Sequence, residues 1–196
     1  MAIETEVKLR LPDAASARAM LEGLGYRARG PRTLQVDQLY DRAGDELEAS
    51  GRVLRLRSAG GQCVLTYKGP AGNGPHKSRE EIELRVEDGP AMEQILLALG
   101  YHAGFRYEKY RTTFRGESDG EPGIVTLDET PMGDFLELEG PEYWIDGTAV
   151  KLGFCAQDHV VSTYAELYHE FQQRYPQLPR NMLFSQTGST SSTKSP

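Results

Sequence analysis

The sequence predicts an α+β protein built around an antiparallel sheet of eight strands. Two observations carry that expectation. Several runs alternate strictly between apolar and charged residues, and most connections between runs are too short to hold a helix. Eight is also a strand number that can close into a barrel. The first run, Ile3 to Leu11 (IETEVKLRL), sets the pattern. Ile3, Val7, Leu9 and Leu11 alternate with Glu4, Glu6, Lys8 and Arg10, so a strand here has an aliphatic face and an ionic one.

The other elements follow in order. Residues 12–26 predict a helix capped by Asp13, rich in Ala and Leu, and stopped near Gly23 or Gly25. Strands are expected over 34–40, 52–58, 63–69 and 79–86, separated by Gly, Asp or Pro. A second helix over 90–101 repeats the ending of the first, Leu99-Gly100-Tyr101 echoing Leu24-Gly25-Tyr26. Three strands come next, over 105–114, 123–129 and 134–140, and two helices close the domain around 147–154 and 162–175. The last twelve residues, 185–196 (SQTGSTSSTKSP), contain nothing apolar to bury and are expected to be a disordered tail behind a domain spanning 1–184.

Composition narrows the setting. A chain of 196 residues suits one domain, and 22 Lys and Arg against 29 Asp and Glu give a net charge of −7. That balance argues against a nucleic-acid binder, which needs a basic surface. Cys63 and Cys155 lie far apart and match no metal spacing, so free thiols in a reducing compartment are expected. The N-terminus lacks a basic start followed by an apolar run, and the longest apolar stretch, Ile95 to Leu99, is too short to span a bilayer. A soluble cytoplasmic protein, monomer or homodimer, is the expectation.

The ionic faces hold the chemistry. Arg55 and Arg57 share a face, as do Lys109 and Arg111. Lys68 lies opposite Leu65 and Tyr67, and Arg79, Glu81 and Glu83 alternate with Ile82 and Leu84. Asp128 stands opposite Leu127, while Glu137 and Glu139 alternate with Leu136 and Leu138. Counting Lys8 and Lys77, eight of the 22 cations sit at these positions in an otherwise acidic chain. Periodicity alone allows two readings: the wet side of a sheet packed by its aliphatic side against helices, or the lining of an enclosed channel. Enclosed ions cost several kcal/mol each unless partnered. A polyanion with divalent metal would partner both signs, carboxylates holding the metal and Lys and Arg the phosphate oxygens.

Glu4-x-Glu6-x-Lys8 resembles the ExExK signature of the CYTH superfamily, named for class IV adenylate cyclase and thiamine triphosphatase. The likeness continues in order through Arg55-x-Arg57, residues 65–70 (LTYKGP), 78–83 (SREEIE), 108–111 (EKYR), Leu127-Asp128 and 133–139 (GDFLELE), covering roughly residues 1 to 170. The resemblance implies an eight-stranded antiparallel β-tunnel that binds a triphosphate with Mg²⁺ or Mn²⁺. It implies Glu4, Glu6, Glu137 and Glu139 as metal carboxylates with Asp128 close by, and Lys8, Arg55, Arg57, Lys68, Lys109 and Arg111 as the phosphate clamp. Glu81 and Glu83 would orient the clamp or add metal ligands; for them, Lys77 and Arg79, structural ion pairing stands as the alternative. The wording of the later blocks is similar to class IV adenylate cyclases, implying conversion of ATP to cyclic AMP and pyrophosphate. The alternative is hydrolysis of thiamine triphosphate, tripolyphosphate or a nucleoside triphosphate, and a further one is a sensor that binds polyphosphate without turnover. Crowding among cations is expected to lower the lysine pKa values, making Lys8 a candidate general base beside metal-bound water. Deleting Arg55 or Arg111 is expected to cost the apo protein little.

Three other signals read as structural. The stretch 69–78 (GPAGNGPHKS) fails as a P-loop because Pro75 and His76 separate Gly74 from Lys77 and a strand pattern follows. His76, His102, His159 and His169 show no ligand spacing. Tyr164, Leu167, Tyr168 and Phe171 have the spacing of a helical packing face.

Overall fold

The computed structural model describes residues 2–72, 74–116, 120 and 122–185. Strands run β1 (Ala2–Leu11), β2 (Arg27–Ala28), β3 (Thr33–Asp41), β4 (Val53–Ala59), β5 (Gln62–Lys68), β6 (Lys77–Val86), β7 (His102–Arg115), β8 (Ile124–Thr130) and β9 (Gly133–Glu139). Helices are α1 (Ala14–Gly23), α2 (Glu46–Ala49), α3 (Gly89–Ala98), α4 (Glu142–Lys151) and α5 (Tyr164–Arg174), with a 3₁₀ turn at Ala156–Asp158. The expected tail, 185–196, lies outside the described residues apart from Ser185.

Eight of the strands close in the order β7-β3-β4-β5-β6-β1-β9-β8, with β8 returning to β7, and every pairing is antiparallel. The two-residue β2, absent from the sequence reading, adds to the end of β7 outside the barrel. The first strand is the closing stave, because its first half pairs with β6 and its second half with β9. Asp13 and Asp88 cap α1 and α3 by accepting from the backbone N–H of Ser16 and Ala91.

The alternation sorts the two faces. Val7, Leu9, Val125, Leu127, Leu136 and Leu138 point outward and are fully buried beneath α1 and α4 with Leu21, Phe114 and Ile145. The main hydrophobic core therefore lies outside the barrel. A second cluster, with Tyr40, Leu56 and Leu96, seats α3, and a third gathers Tyr107, Phe135, Met182 and the apolar side of α5.

α4 begins at Glu142 rather than near Gly147 as expected. Burial of Trp144, Ile145, Thr148 and Ala149 against the sheet outweighs the helix-weakening Gly147 in mid-helix. The Trp144 indole is seated on Gly123, where an added Cβ would lie 2.2 Å from its Cε3 atom. Gly123→Ala should therefore lower stability by about 1–3 kcal/mol. An unchanged thermal melt for that variant would show that the indole is free to move aside.

Candidate active site

Because the aliphatic side chains face out, closing the barrel turns the ionic faces inward. The lumen is a cavity of about 960 Å³ lined by Glu4, Glu6, Lys8, Arg55, Arg57, Lys68, Arg79, Glu81, Glu83, Lys109, Arg111, Glu137 and Glu139. Every predicted site residue except Asp128 is in that lining. The wet-face alternative is thereby excluded: Lys8 is 2 % exposed, Lys109 1 % and Glu137 6 %. Strand register runs the charges around the wall, with Lys8 opposite Glu137, Glu6 opposite Glu139 and Lys77, Glu4 opposite Arg79, and Lys68 opposite Glu81.

On one side, buried carboxylates organise the cations. Asp128, with no exposure, accepts from Arg111 Nε at 2.6 Å, Lys109 Nζ at 2.7 Å and the Tyr164 hydroxyl at 2.7 Å. Both its oxygens are thus committed to protein donors. Arg111 also reaches Glu137 at 2.7 Å. Asp37 on β3 does the same for the other arginines, lying 2.7 Å from Arg57 Nε and 3.4 Å from Arg55 Nε. Arg55 donates as well to Thr66, whose hydroxyl donates to Glu83. Lys68 bridges Glu4 at 2.5 Å and Glu81 at 3.2 Å. In these positions Glu81 and Glu83 back the cations.

Glu4, Glu6, Glu137 and Glu139 converge from β1 and β9. Burial, then the charges of Glu4, Glu137 and Glu6, push the Glu139 carboxyl up to about 7. Among the described residues no cation lies within ion-pair distance of it. Glu6 goes the other way: burial raises it, but Lys8 at 3.2 Å, Lys68 and Lys77 together outweigh burial and bring it to about 2. Glu81 is raised to about 7 by burial, with Glu4 adding to the effect against Lys68.

The lysines divide. Burial opposes charge on Lys8, but Glu6 and Glu137 at 3.2 and 3.6 Å overcome it and hold the ammonium above its usual range. The expectation that crowding lowers Lys8 toward a general base is corrected by these two carboxylates, which outweigh the neighbouring cations. Lys109 is lowered to about 8 by burial and Arg111, and Lys77 to about 7 by burial, Lys8 and Arg79. Lys77 Nζ and Arg79 Nε are buried without any hydrogen-bond acceptor.

Two residues escape a reading of the sequence. Asp37 sits between Gln35 and Leu39 in alternation, so nothing marks its face as ionic; only its register opposite Arg57 does. Tyr164 belongs to the helical stripe expected to pack, which Leu167 and Tyr168 do form, yet its ring also faces Lys8 and Lys109 Nζ at 5.3 and 4.6 Å.

A pH effect follows. Glu139 and Glu81 hold protons more tightly folded than at the ordinary value of 4.5. The stability they contribute is complete below 4.5 and is lost as pH rises through about 7. Apo melting temperature should therefore decline across that interval, and Glu139→Gln should flatten the decline. An unchanged profile in the variant would remove Glu139 as its cause.

The CYTH domain profile matches residues 2–142. A protein from Methanocaldococcus jannaschii named as a candidate adenylate cyclase is 33% identical over 137 residues, 70% of this chain and 76% of its own length. Among solved structures, a candidate adenylate cyclase from Vibrio parahaemolyticus superposes with a TM-score of 0.74 at 19% identity, covering 85% of this chain and 98% of that one. A candidate adenylyl cyclase from Hippeastrum, described as having dominant triphosphatase activity, gives a TM-score of 0.60 at 19% identity over 90% of this chain and 97% of that one.

Proposed function

The chain belongs to the CYTH family, and on that premise we propose that it is a divalent-metal-dependent enzyme converting ATP to cyclic AMP and pyrophosphate. One observation carries the reading: a lumen whose wall strands gather eight Lys and Arg side chains, Lys77 among them with no acceptor, beside a cluster of mutually repelling carboxylates. The cations suit phosphate oxygens and the carboxylates suit a hard cation, the division that phosphoryl chemistry needs. The 33% identical relative supports the choice of reaction. So does the lumen's size of about 960 Å³, which accommodates an organic group besides the phosphates.

Glu4, Glu6, Glu137 and Glu139 would hold Mg²⁺ or Mn²⁺; all four offer hard oxygen donors, and the unpaired, crowded Glu139 fits a cation best. Bound there, the metal supplies charge neutralisation at the phosphates. Lys8, Arg55, Arg57, Lys68, Lys109 and Arg111, joined by Lys77 and Arg79, grip phosphate oxygens and keep the chain of phosphates extended. Asp37 and Asp128 hold those cations in place; Asp128 serves the clamp rather than the metal, its oxygens being already engaged. Glu81 and Glu83 orient Lys68 and Arg55. With the triphosphate fixed, the ribose 3′-oxygen attacks the α-phosphorus as its hydroxyl proton passes to solvent, and the bond from the α-phosphorus to the bridging oxygen breaks, releasing pyrophosphate.

Incubation with ATP, thiamine triphosphate and tripolyphosphate under Mg²⁺ or Mn²⁺, with chromatographic separation of products, tests this. Cyclic AMP with pyrophosphate is the expected outcome. Orthophosphate from any of the three would replace cyclisation by hydrolysis in the same tunnel. Binding with no product at any metal concentration would make the protein a sensor.

A further inference from the structure

A second cluster of metal-binding groups lies away from the carboxylates assigned above. His76 immediately precedes β6, Asp146 sits in the middle of α4, and His159 precedes Val160, which is bridged to Lys8 through two backbone hydrogen bonds. One donor atom of each side chain lies within 4.8 Å of the other two. His76 Nε2 is 2.7 Å from Asp146 Oδ1, and the two imidazole rings stand 5.6 Å apart at a tilt of 51°.

A hydrogen bond between His76 and Asp146 accounts for only part of this arrangement. His76 is 6 % exposed, and its Nδ1 is buried with no hydrogen-bond partner; His159 Nδ1 is in the same state. Two adjacent imidazoles with unpartnered buried nitrogens beside a carboxylate are an unusual arrangement for a packed interior, where buried polar atoms are nearly always satisfied. The donors suit a zinc-like ion, whose bonds to His nitrogen and carboxylate oxygen are about 2.0–2.2 Å. Drawing atoms less than 4.8 Å apart to such distances needs only side-chain adjustment.

Glu142 adds the outer part of such a site. It precedes Asp146 by four residues on α4, so both project from one face of the helix. Its Oε1 lies 4.0 Å from His76 Nδ1, the nitrogen turned away from Asp146. Zinc-bound histidines commonly donate their other N–H to a carboxylate placed in this way.

We propose that His76, His159 and Asp146 form a binding site for a zinc-class transition-metal ion, separate from the tunnel carboxylates, with Glu142 orienting His76 and the fourth position left to water. Two imidazoles favour Zn²⁺ or Co²⁺ over Mg²⁺, which prefers oxygen. The ion ties together three stretches of chain: the loop entering β6, α4, and the segment paired with Lys8. It therefore braces the tunnel wall at Lys8 and Lys77 from behind, in a structural rather than a catalytic role.

The test uses the full chain stripped of transition metal, kept in excess Mg²⁺ so that the tunnel carboxylates are occupied, and titrated with Zn²⁺ against a chromophoric chelator. The expected result is a single Zn²⁺ bound, with affinity falling by roughly 10–100-fold or more in Asp146→Ala and His159→Ala and by about 10-fold in Glu142→Gln. Glu139→Gln should bind as the unaltered protein does. Co²⁺ in place of Zn²⁺ should give the intense visible absorption of a nitrogen-ligated tetrahedral ion, lost in the same variants. Asp146 has an exposed side chain, so Asp146→Ala keeps its fold and its metal-free melting temperature reports on that directly. The proposal is overturned by no Zn²⁺ uptake in the unaltered protein, by uptake that survives Asp146→Ala and His159→Ala, or by uptake lost in Glu139→Gln alone.

Discussion

Glu137→Gln should lower Mg²⁺- or Mn²⁺-dependent turnover by roughly a hundredfold or more while the protein stays folded, and Glu4→Gln should do the same. The substitution is nearly isosteric, so the lumen keeps its shape. The amide oxygen that replaces the Glu137 carboxylate can still accept from Arg111, which lies 2.7 Å from that carboxylate and retains Asp128 as a second partner. What disappears is one negative charge from a cluster that we assign to the metal. Burial raises the Glu137 carboxyl, but Arg111, Lys8 and Lys109 together bring it well below its ordinary range, so it is ionised at every pH of interest and its charge is fully lost in the variant. Steady-state rates across metal concentration measure the effect. Near-normal activity in either variant would show that the metal assignment is wrong.

Tripolyphosphate with Mg²⁺ at a hundredfold excess over Kd should stabilise the folded protein by about 2.7 kcal/mol. For a domain of this size that corresponds to a rise in melting temperature of roughly 5–10 °C. Arg55→Ala should remove most of this rise with little effect on the apo melt, because Asp37 keeps Arg57 at 2.7 Å. Arg111→Ala should differ, contrary to the expectation from sequence. Arg55 lies 3.4 Å from Asp37, whereas Arg111 donates through two nitrogens to the wholly buried Asp128 and also to Glu137, and stripping a partner from such a buried ion pair costs about 3–5 kcal/mol. The apo melt of that variant should therefore drop by roughly 10 °C. Thermal melts with and without ligand separate the two arginines. Absence of any shift at millimolar ligand would sink the tunnel's role as a polyanion site.

Much of the scaffold is legible in the sequence. The alternation in β1, β4, β7 and β9 marks both faces, and the Asp13 cap and the position of α3 agree with the structure. Differences gather where long-range packing outweighs local preference. The start of α4 is one of them, because Gly147 weakens an isolated helix, whereas Trp144 and Ile145 bury against the sheet and extend it.

Within the site, the residues of the wall are legible and their partners are not. Lys8 shows the difference: among cations in the sequence it looks easy to deprotonate, yet folded it lies between Glu6 and Glu137 and is held charged. Asp37 gives no local sign of its role, and His76, Asp146 and His159 stand 70 and 13 residues apart, beyond any metal-spacing pattern. The sequence by itself determined where the eight barrel strands run and, in all of them but β3, which side is ionic, because side-chain direction in a strand is set by the local backbone repeat of two. Only the tertiary structure decided that the ionic side faces inward and which charges meet there. Closure depends on β1 pairing with both β6 and β9, and the energy between two ions depends on their separation and surroundings rather than on the kinds of residue that carry them.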